Sequence, residues 1–207
     1  PLAQLGAIIT KTLTREPREG HPPPRLVVTP SGLLNAVGLQ NIGVDAFLEH
    51  KLPALRQYHV PVIVSVLGES PEELAWMTER LEQADGVAAI EVNLSCPNLT
   101  GSRPAQGSSR PAVMVAHDAE ATFQMVKTAC ERTRKPVIAK LSPDVTDLVP
   151  IAQAAERAGA DALAIANTFT GMSIDPRTQR SRLGSLTGGL SGPAIRPMAD
   201  YRVWRVH

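Results

Sequence analysis

The chain has 207 residues, 43% hydrophobic and 20% charged, and its 21 Lys and Arg against 20 Asp and Glu leave a net charge of +1. That describes one sizeable globular domain, with no bulk charge to hold nucleic acid or a membrane surface and, at 3% aromatics, no base-stacking platform. The two cysteines, Cys96 and Cys130, lack CxxC neighbours, which argues against a disulfide framework or a zinc site and suits a reducing cytoplasm.

In chain order, residues 5–10 (LGAIIT) read as a strand and 41–58 as a helix with Leu48, Leu52 and Leu55 on one face. Residues 61–68 (PVIVSVLG) are a strand. The stretch 70–84 opens with Ser70, Pro71 and Glu73, a capping box with proline at the first helical position. Residues 88–95 (AAIEVNLS) are a strand, 118–133 a helix capped by Asp118, and 136–142 (PVIAKLS) a strand. A helix over 146–159 ends in Gly159, a strand follows at 161–168, and a last helix spans 191–206. No apolar run reaches the ~18 residues of a membrane span, and no basic leader precedes an apolar stretch. The start at Pro1, straight into a strand, and the end on a helix with no Gly or Pro behind it read as a piece of something longer.

Continuously apolar strands alternating with helices mean parallel β buried on both faces. An open doubly wound sheet and a (β/α)8 barrel are the candidates, and five βα units with frayed ends fit a single barrel domain lacking strands at both termini. Two connections are long: 97–118, expected to be an active-site loop, and 169–192. Both follow strand carboxyl ends, where barrel enzymes build their sites.

Polar residues close strand after strand: Lys11 and Thr12; Ser65; Asn93, Ser95 and Cys96; Lys140 and Ser142; Asn167 and Thr168. The segment 31–41 adds Asn35, Gly38, Gln40 and Asn41. Singly, each has a bland reading: a lone Cys is usually a small buried residue, and Asn at a strand end is usually a turn former. Lys140 within an apolar strand is harder to dismiss, because lysine is rarely buried without a partner. His21, His50, His59 and His117 read as surface or loop residues, and Glu91 lies inside its strand, outside the set. Without a carboxylate pair or a His/Asp/Glu cluster, glycosidase chemistry and a metal site are not signalled. No GxGxxG follows the first strand, so neither is a nicotinamide fold. Amides and two lysines suit a flat, electron-rich, anionic ligand.

Six segments carry a family resemblance: KTLT (11–14), NAVGLQN (35–41), NLSCPN (93–98), KLSPDVTDL (140–148), ANTFTG (166–171) and GGLSGPAIRP (188–197). On these the chain resembles the class 1 dihydroorotate dehydrogenases, and within them the B-type, NAD-linked catalytic subunit. The resemblance implies a (β/α)8 barrel of which the inner βα units are present, with the first strand and the last two units missing. It implies oxidation of dihydroorotate to orotate in pyrimidine biosynthesis, with hydride passing to FMN and electrons onward to NAD through a partner subunit carrying FAD and a 2Fe–2S cluster. A homodimer of the catalytic subunit in the cytoplasm is expected.

The roles follow by position. Cys96 matches the base that takes the C5 proton. Lys11 matches a lysine meeting both FMN and the substrate carboxylate. Asn35, Ala36, Val37, Gly38, Leu39, Asn167 and Thr168 match substrate contacts, and Asn93 touches substrate and flavin. Thr12, Ser65, Lys140, Ala166 and Gly192 match cofactor contacts, Lys140 as the cation that favours reduced flavin. Three departures stand out: Ser65 replaces the family's usual Asn, the loop after CPN is long, and the glycine turns that hold the FMN phosphate fall outside the chain. The flavin subunit of a dihydropyrimidine dehydrogenase is a close alternative, although that relative tends to carry His where Asn98 stands. A non-catalytic barrel remnant is a second alternative.

Overall fold

A computed structural model describes residues 4–95 and 115–207. In chain order its elements are β1 (Ile8–Ile9), β2 (Leu26–Thr29), β3 (Gly32–Asn35), α1 (Val44–Ala46), a π turn (Phe47–Lys51) and α2 (Leu52–Arg56). Then come β4 (Val62–Val66), α3 (Pro71–Gln83), β5 (Val87–Asn93), α4 (Ala119–Cys130), β6 (Val137–Lys140), α5 (Val149–Arg157) and β7 (Ala162–Ala164). Four short strands follow, β8 (Phe169–Gly171), β9 (Ile174–Asp175), β10 (Arg180–Ser181) and β11 (Gly188–Ser191), before α6 (Arg196–Val206).

The helix signals act as the sequence implies. Ser70 Oγ accepts the Glu73 N–H at 3.2 Å, and the Glu73 carboxylate turns back to the Glu69 N–H at 2.7 Å. Asp118 accepts from the N–H groups of Glu120 and Ala121. After α5 the chain leaves the helix through Gly159 at φ +100°, open to glycine without a Cβ clash. The helix expected over 41–58 is not continuous. Pro53 has no N–H, and its ring would press on the Glu49 carbonyl one turn back, so the preceding turn widens to π geometry.

The main sheet is parallel and five-stranded, in the order β1-β4-β5-β6-β7. That order never reverses. Right-handed crossovers between strands taken in sequence put every helix on one face, so the sheet is singly wound and has no doubly wound switch point. Val62, Val64, Val66, Ile90, Val92, Val137 and Ala139 pack there against Leu74, Met77 and Leu81 of α3, Val126 and Ala129 of α4, and Ile151 and Ala155 of α5. Because side chains alternate along a strand, Glu91 and Asn93 of β5 point to the opposite face from Ile90 and Val92.

Two expectations need correction. The first strand is shorter than residues 5–10: only Ile8 and Ile9 pair, with Val62 and Ile63. Residues 169–192 are no long loop. β8 and β11 join the β2–β3 hairpin in a second, antiparallel sheet, in the order β2-β3-β11-β8, and β9 pairs with β10. Asn35 lies opposite Gly189, and Gly189 opposite Thr170. This sheet is tied to the carboxyl end of β6, where the Asp144 carboxylate accepts from the N–H and, at 2.6 Å, the hydroxyl of Thr170. Of the 97–118 connection, residues 97–114 lie outside the described residues, and Val115–His117 form a single 3-10 turn ahead of α4.

Candidate active site

The carboxyl ends of the parallel strands face the antiparallel sheet across a cavity of about 150 Å³. Lys11, Thr12, Asn35, Val37, Gly38, Leu39, Asn93, Lys140, Asn167 and Thr168 all line it, together with Gly189. Ten positions singled out from the sequence therefore converge. They come from both ends of the chain and from both sheets.

Each group is held by its element. Asn93 and Lys140 are register partners on β5 and β6. Asn93 Oδ1 accepts from the N–H and the hydroxyl of Ser95, at 3.1 and 2.8 Å, and its Nδ2 donates to Thr12 Oγ1 at 3.0 Å. Asn167 Nδ2 donates to Ser95 Oγ at 2.8 Å, and its Oδ1 accepts the Thr168 N–H at 2.9 Å. Asn35 Nδ2 donates to the Gly189 carbonyl at 3.1 Å. Gly38 and Leu39 both adopt positive φ, +73° and +57°. A Cβ on Gly38 would lie 2.6 Å from the His21 ring, so only glycine fits against it. Leu39 has no such excuse, and what holds it is Asn41: its Nδ2 donates to the Leu39 carbonyl at 2.8 Å and to Thr14 Oγ1 at 2.9 Å. Asn41 thus staples the 35–41 loop to the segment after β1 and is an anchor, not a cavity residue. Gln40 turns away to accept from Arg25 at 2.7 Å.

The cavity is cationic. Lys11 and Lys140 line it, and no carboxylate does among the described residues. Lys140 forms no ion pair with any described residue, so its charge is available to an anion. A larger groove of about 870 Å³ lies between the helices around Trp76, but the acids and bases along it, such as Arg56 with Asp85 and Arg80 with Asp45, neutralise one another.

Four expected residues fall elsewhere. Ser65 is buried one layer below the cavity, 2.9 Å from Thr12 Oγ1. Ala36 packs inward with Val27, Leu34 and Leu183 in the small core under the hairpin. Ala166 precedes Asn167 in the chain but is not part of the cavity wall. Gly192 (φ +99°) lies against the β2–β3 turn, where a Cβ would meet Gly32 Cα at 2.9 Å. That contact explains the glycine without a ligand. Cys96, the expected base, lies outside the described residues.

Sequence reasoning missed two residues. Gly189 lies so close to Thr168 that a Cβ would fall 2.0 Å from its Oγ1, and the paired glycines at 188–189 were the signal. Glu91 is buried, 3% exposed, and accepts from Ser65 Oγ at 2.7 Å. A carboxylate inside an apolar strand is as anomalous as Lys140. The other thiol, Cys130, is a poor candidate for chemistry: burial and, after it, the Asp161 charge push it up to about 11.

Comparison with known proteins agrees with the geometry. The profile of the dihydroorotate dehydrogenase family matches residues 1–207. The chain is similar to the catalytic subunit of dihydroorotate dehydrogenase B (NAD(+)) from Desulforudis audaxviator, 50% identical over 206 residues covering 100% of this chain and 64% of that protein. The same subunit from Desulforamulus reducens is 48% identical, covering 100% of the chain and 65% of the relative. The Geotalea uraniireducens subunit is 48% identical over 99% of the chain and 64% of the relative. The chain thus spans a little under two thirds of the length of these relatives. With a family profile matched from the first residue to the last and ten expected positions lining one cavity, the chain belongs to the dihydroorotate dehydrogenase family.

Proposed function

We propose that this chain is catalytic sequence of a B-type dihydroorotate dehydrogenase, in which dihydroorotate is oxidised to orotate and the electrons reach NAD through a separate electron-transfer subunit. The observation that carries this is the cavity: two lysines, three asparagines and no carboxylate among its described lining residues. Such a set recognises a flat, anionic, amide-edged ring and repels little of its charge. At about 150 Å³ the cavity falls below the ~300 Å³ of ordinary ligand pockets, so it takes the edges of rings and not a flavin nucleotide entire.

The donor set also fits the polar ring edge of FMN. The spare Asn93 N–H, the Thr12 oxygen and Lys140, which has no ion-pair partner among the described residues, are the groups an electron-rich, charge-accumulating ring needs. Bound there, FMN supplies the two-electron acceptor. Lys11 holds the substrate carboxylate by a charge-assisted hydrogen bond. Lys140 stabilises negative charge that develops at the cofactor edge. Asn35, Asn167 and Thr168 orient the ring, and Cys96 takes the proton from C5. The singly wound sheet is the inner part of a (β/α)8 barrel, in which β1 and β7, each with one neighbour among the described residues, gain further strands. The iron–sulfur and FAD subunit as partner, a homodimer of the catalytic subunit and a cytoplasmic location, which the free Cys130 thiol suits, belong to the same reading.

The test is stopped-flow reduction of the flavin by dihydroorotate in the full-length protein. Cys96→Ala should slow it by about 10²–10⁴-fold, the usual worth of a positioned base, with orotate binding little changed. Reduction at unchanged speed would remove the base assignment. Lack of any dihydroorotate-dependent reduction in the unaltered protein would remove the function.

A further inference from the structure

Under the cavity floor runs an unbroken line of hydrogen bonds between buried side chains that ends on a carboxylate. Asn93 Nδ2 donates to Thr12 Oγ1 at 3.0 Å, Thr12 Oγ1 and Ser65 Oγ are 2.9 Å apart, and Ser65 Oγ donates to Glu91 Oε1 at 2.7 Å. Thr12, Ser65, Glu91 and Asn93 are each less than a tenth exposed, so no bulk water rearranges them.

The direction of every link follows from its two ends. The Asn93 amide cannot flip, because its Oδ1 receives a backbone N–H, that of Ser95, as well as the Ser95 hydroxyl. Its Nδ2 therefore points at Thr12 and must donate. At the other end a carboxylate only accepts, so the Ser65 proton goes to Glu91. Ser65 Oγ is then the acceptor for Thr12, whose proton turns down, away from the cavity. At the floor, Thr12 presents a lone pair and no proton, while Asn93 presents one remaining N–H and a saturated oxygen.

We propose that Glu91 is a positioning residue that sets this readout through Ser65 and Thr12, making the floor select a ring edge with an N–H beside a C=O. This rests on the flavin and pyrimidine reading above, since both rings carry such an imide edge. An apolar residue at position 91 would reverse the line: Ser65, with no acceptor below it, would give its own proton to Thr12 and leave the Thr12 hydroxyl pointing a proton at the ligand. A ring N–H would then face a donor, and a site built for a hydrogen bond rejects what leaves its groups unpaired.

The experiment is a double-mutant cycle in the full-length protein, with Glu91→Leu and Thr12→Val, titrated separately with FMN and with orotate. Glu91→Leu should weaken one of the two ligands about tenfold, the cost of a ring N–H left facing a donor. Thr12→Val should weaken the same one, and Glu91→Leu should add nothing in the Thr12→Val background. The arm that responds identifies the ring lying on Thr12. A Glu91→Leu effect that persists in full without the Thr12 hydroxyl, or no effect on either ligand, overturns the proposal. If Glu91→Leu does not fold, Ser65→Ala cuts the same line and must give the same non-additive result. Unaltered protein that binds neither FMN nor orotate overturns the functional reading and this inference with it; loss of the coupling alone overturns only the inference.

Discussion

The two sheets that meet at the cavity are built on opposite plans. β4, β5 and β6 are apolar on the helix side and sealed by α3, α4 and α5, and their far faces carry the charged and amide groups. The antiparallel sheet is thin. The β11 residues GGLS are all half-buried, and on β2 Leu26 and Val28 are exposed. Its small core holds Val27, Leu34, Ala36 and Leu183. The parallel sheet supplies stability and side-chain chemistry, whereas the antiparallel one supplies backbone and the glycines that let it come close. A family can keep the first plan fixed and shape the ligand with the second.

Stability separates them most. Leu74→Ala, in α3 under the parallel sheet and 0% exposed, should cost about 2–5 kcal/mol. Leu190→Ala, in β11 and only packed against the small core, should cost about 1 kcal/mol. Denaturant melts of both variants measure this; equal losses would mean the antiparallel sheet is a structural core after all.

Binding should show the reverse order. Gly189→Ala puts a methyl 2.0 Å from Thr168 Oγ1, so Thr168 must leave its place in the cavity wall. Orotate affinity should fall at least about tenfold, as expected for a lost polar contact left unpaired, while the melting midpoint moves less than with Leu74→Ala. Lost stability with intact binding would reverse the roles assigned to the two sheets.

The smallest effect concerns Cys130, at the end of α4 behind the parallel sheet. Its thiol is pushed up to about 11, so in folded protein it should resist alkylation at pH 8 and label only near pH 11 or on unfolding. The linked stability has a definite sign. The unfolded thiol ionises near ~8.5; the contribution is intact below that pH and declines as pH rises toward the folded value. Labelling by mass spectrometry decides it, and fast reaction at pH 8 would contradict the burial.

The same division explains what the sequence made legible. The parallel strands announce themselves because each is a local apolar run, and Lys140 stands out against its own strand. β2 (LVVT) and β3 (GLLN) are apolar but only four residues each, and β11 carries no such pattern. GGLS has neither alternation nor β-branched residues, and its strand character comes from pairing with a segment far away in the chain. Glu91 carries no strand-end mark, because it lies two residues before the end of β5, yet it points to the same face as Asn93 and belongs to the floor. Gly192 has a structural account of its own: a Cβ there would lie 2.9 Å from Gly32 Cα.

The hydrogen bond from Asn35 to Gly189 joins residues 154 apart in the chain, whereas Ser65 and Glu91, across β4 and β5, are 26 apart. Closing the longer loop costs more entropy, though only logarithmically, and the thin sheet has less burial to offset it. The wall of the cavity is therefore the part of the molecule most ready to open while the floor stays shut. A ligand touching both engages only the closed form, so its binding energy is spent on holding the wall to the floor. Amide exchange should record this as slowing in β3 and β11 on adding orotate, with β5 unchanged. The molecule's least stable sheet then becomes its most ligand-sensitive one.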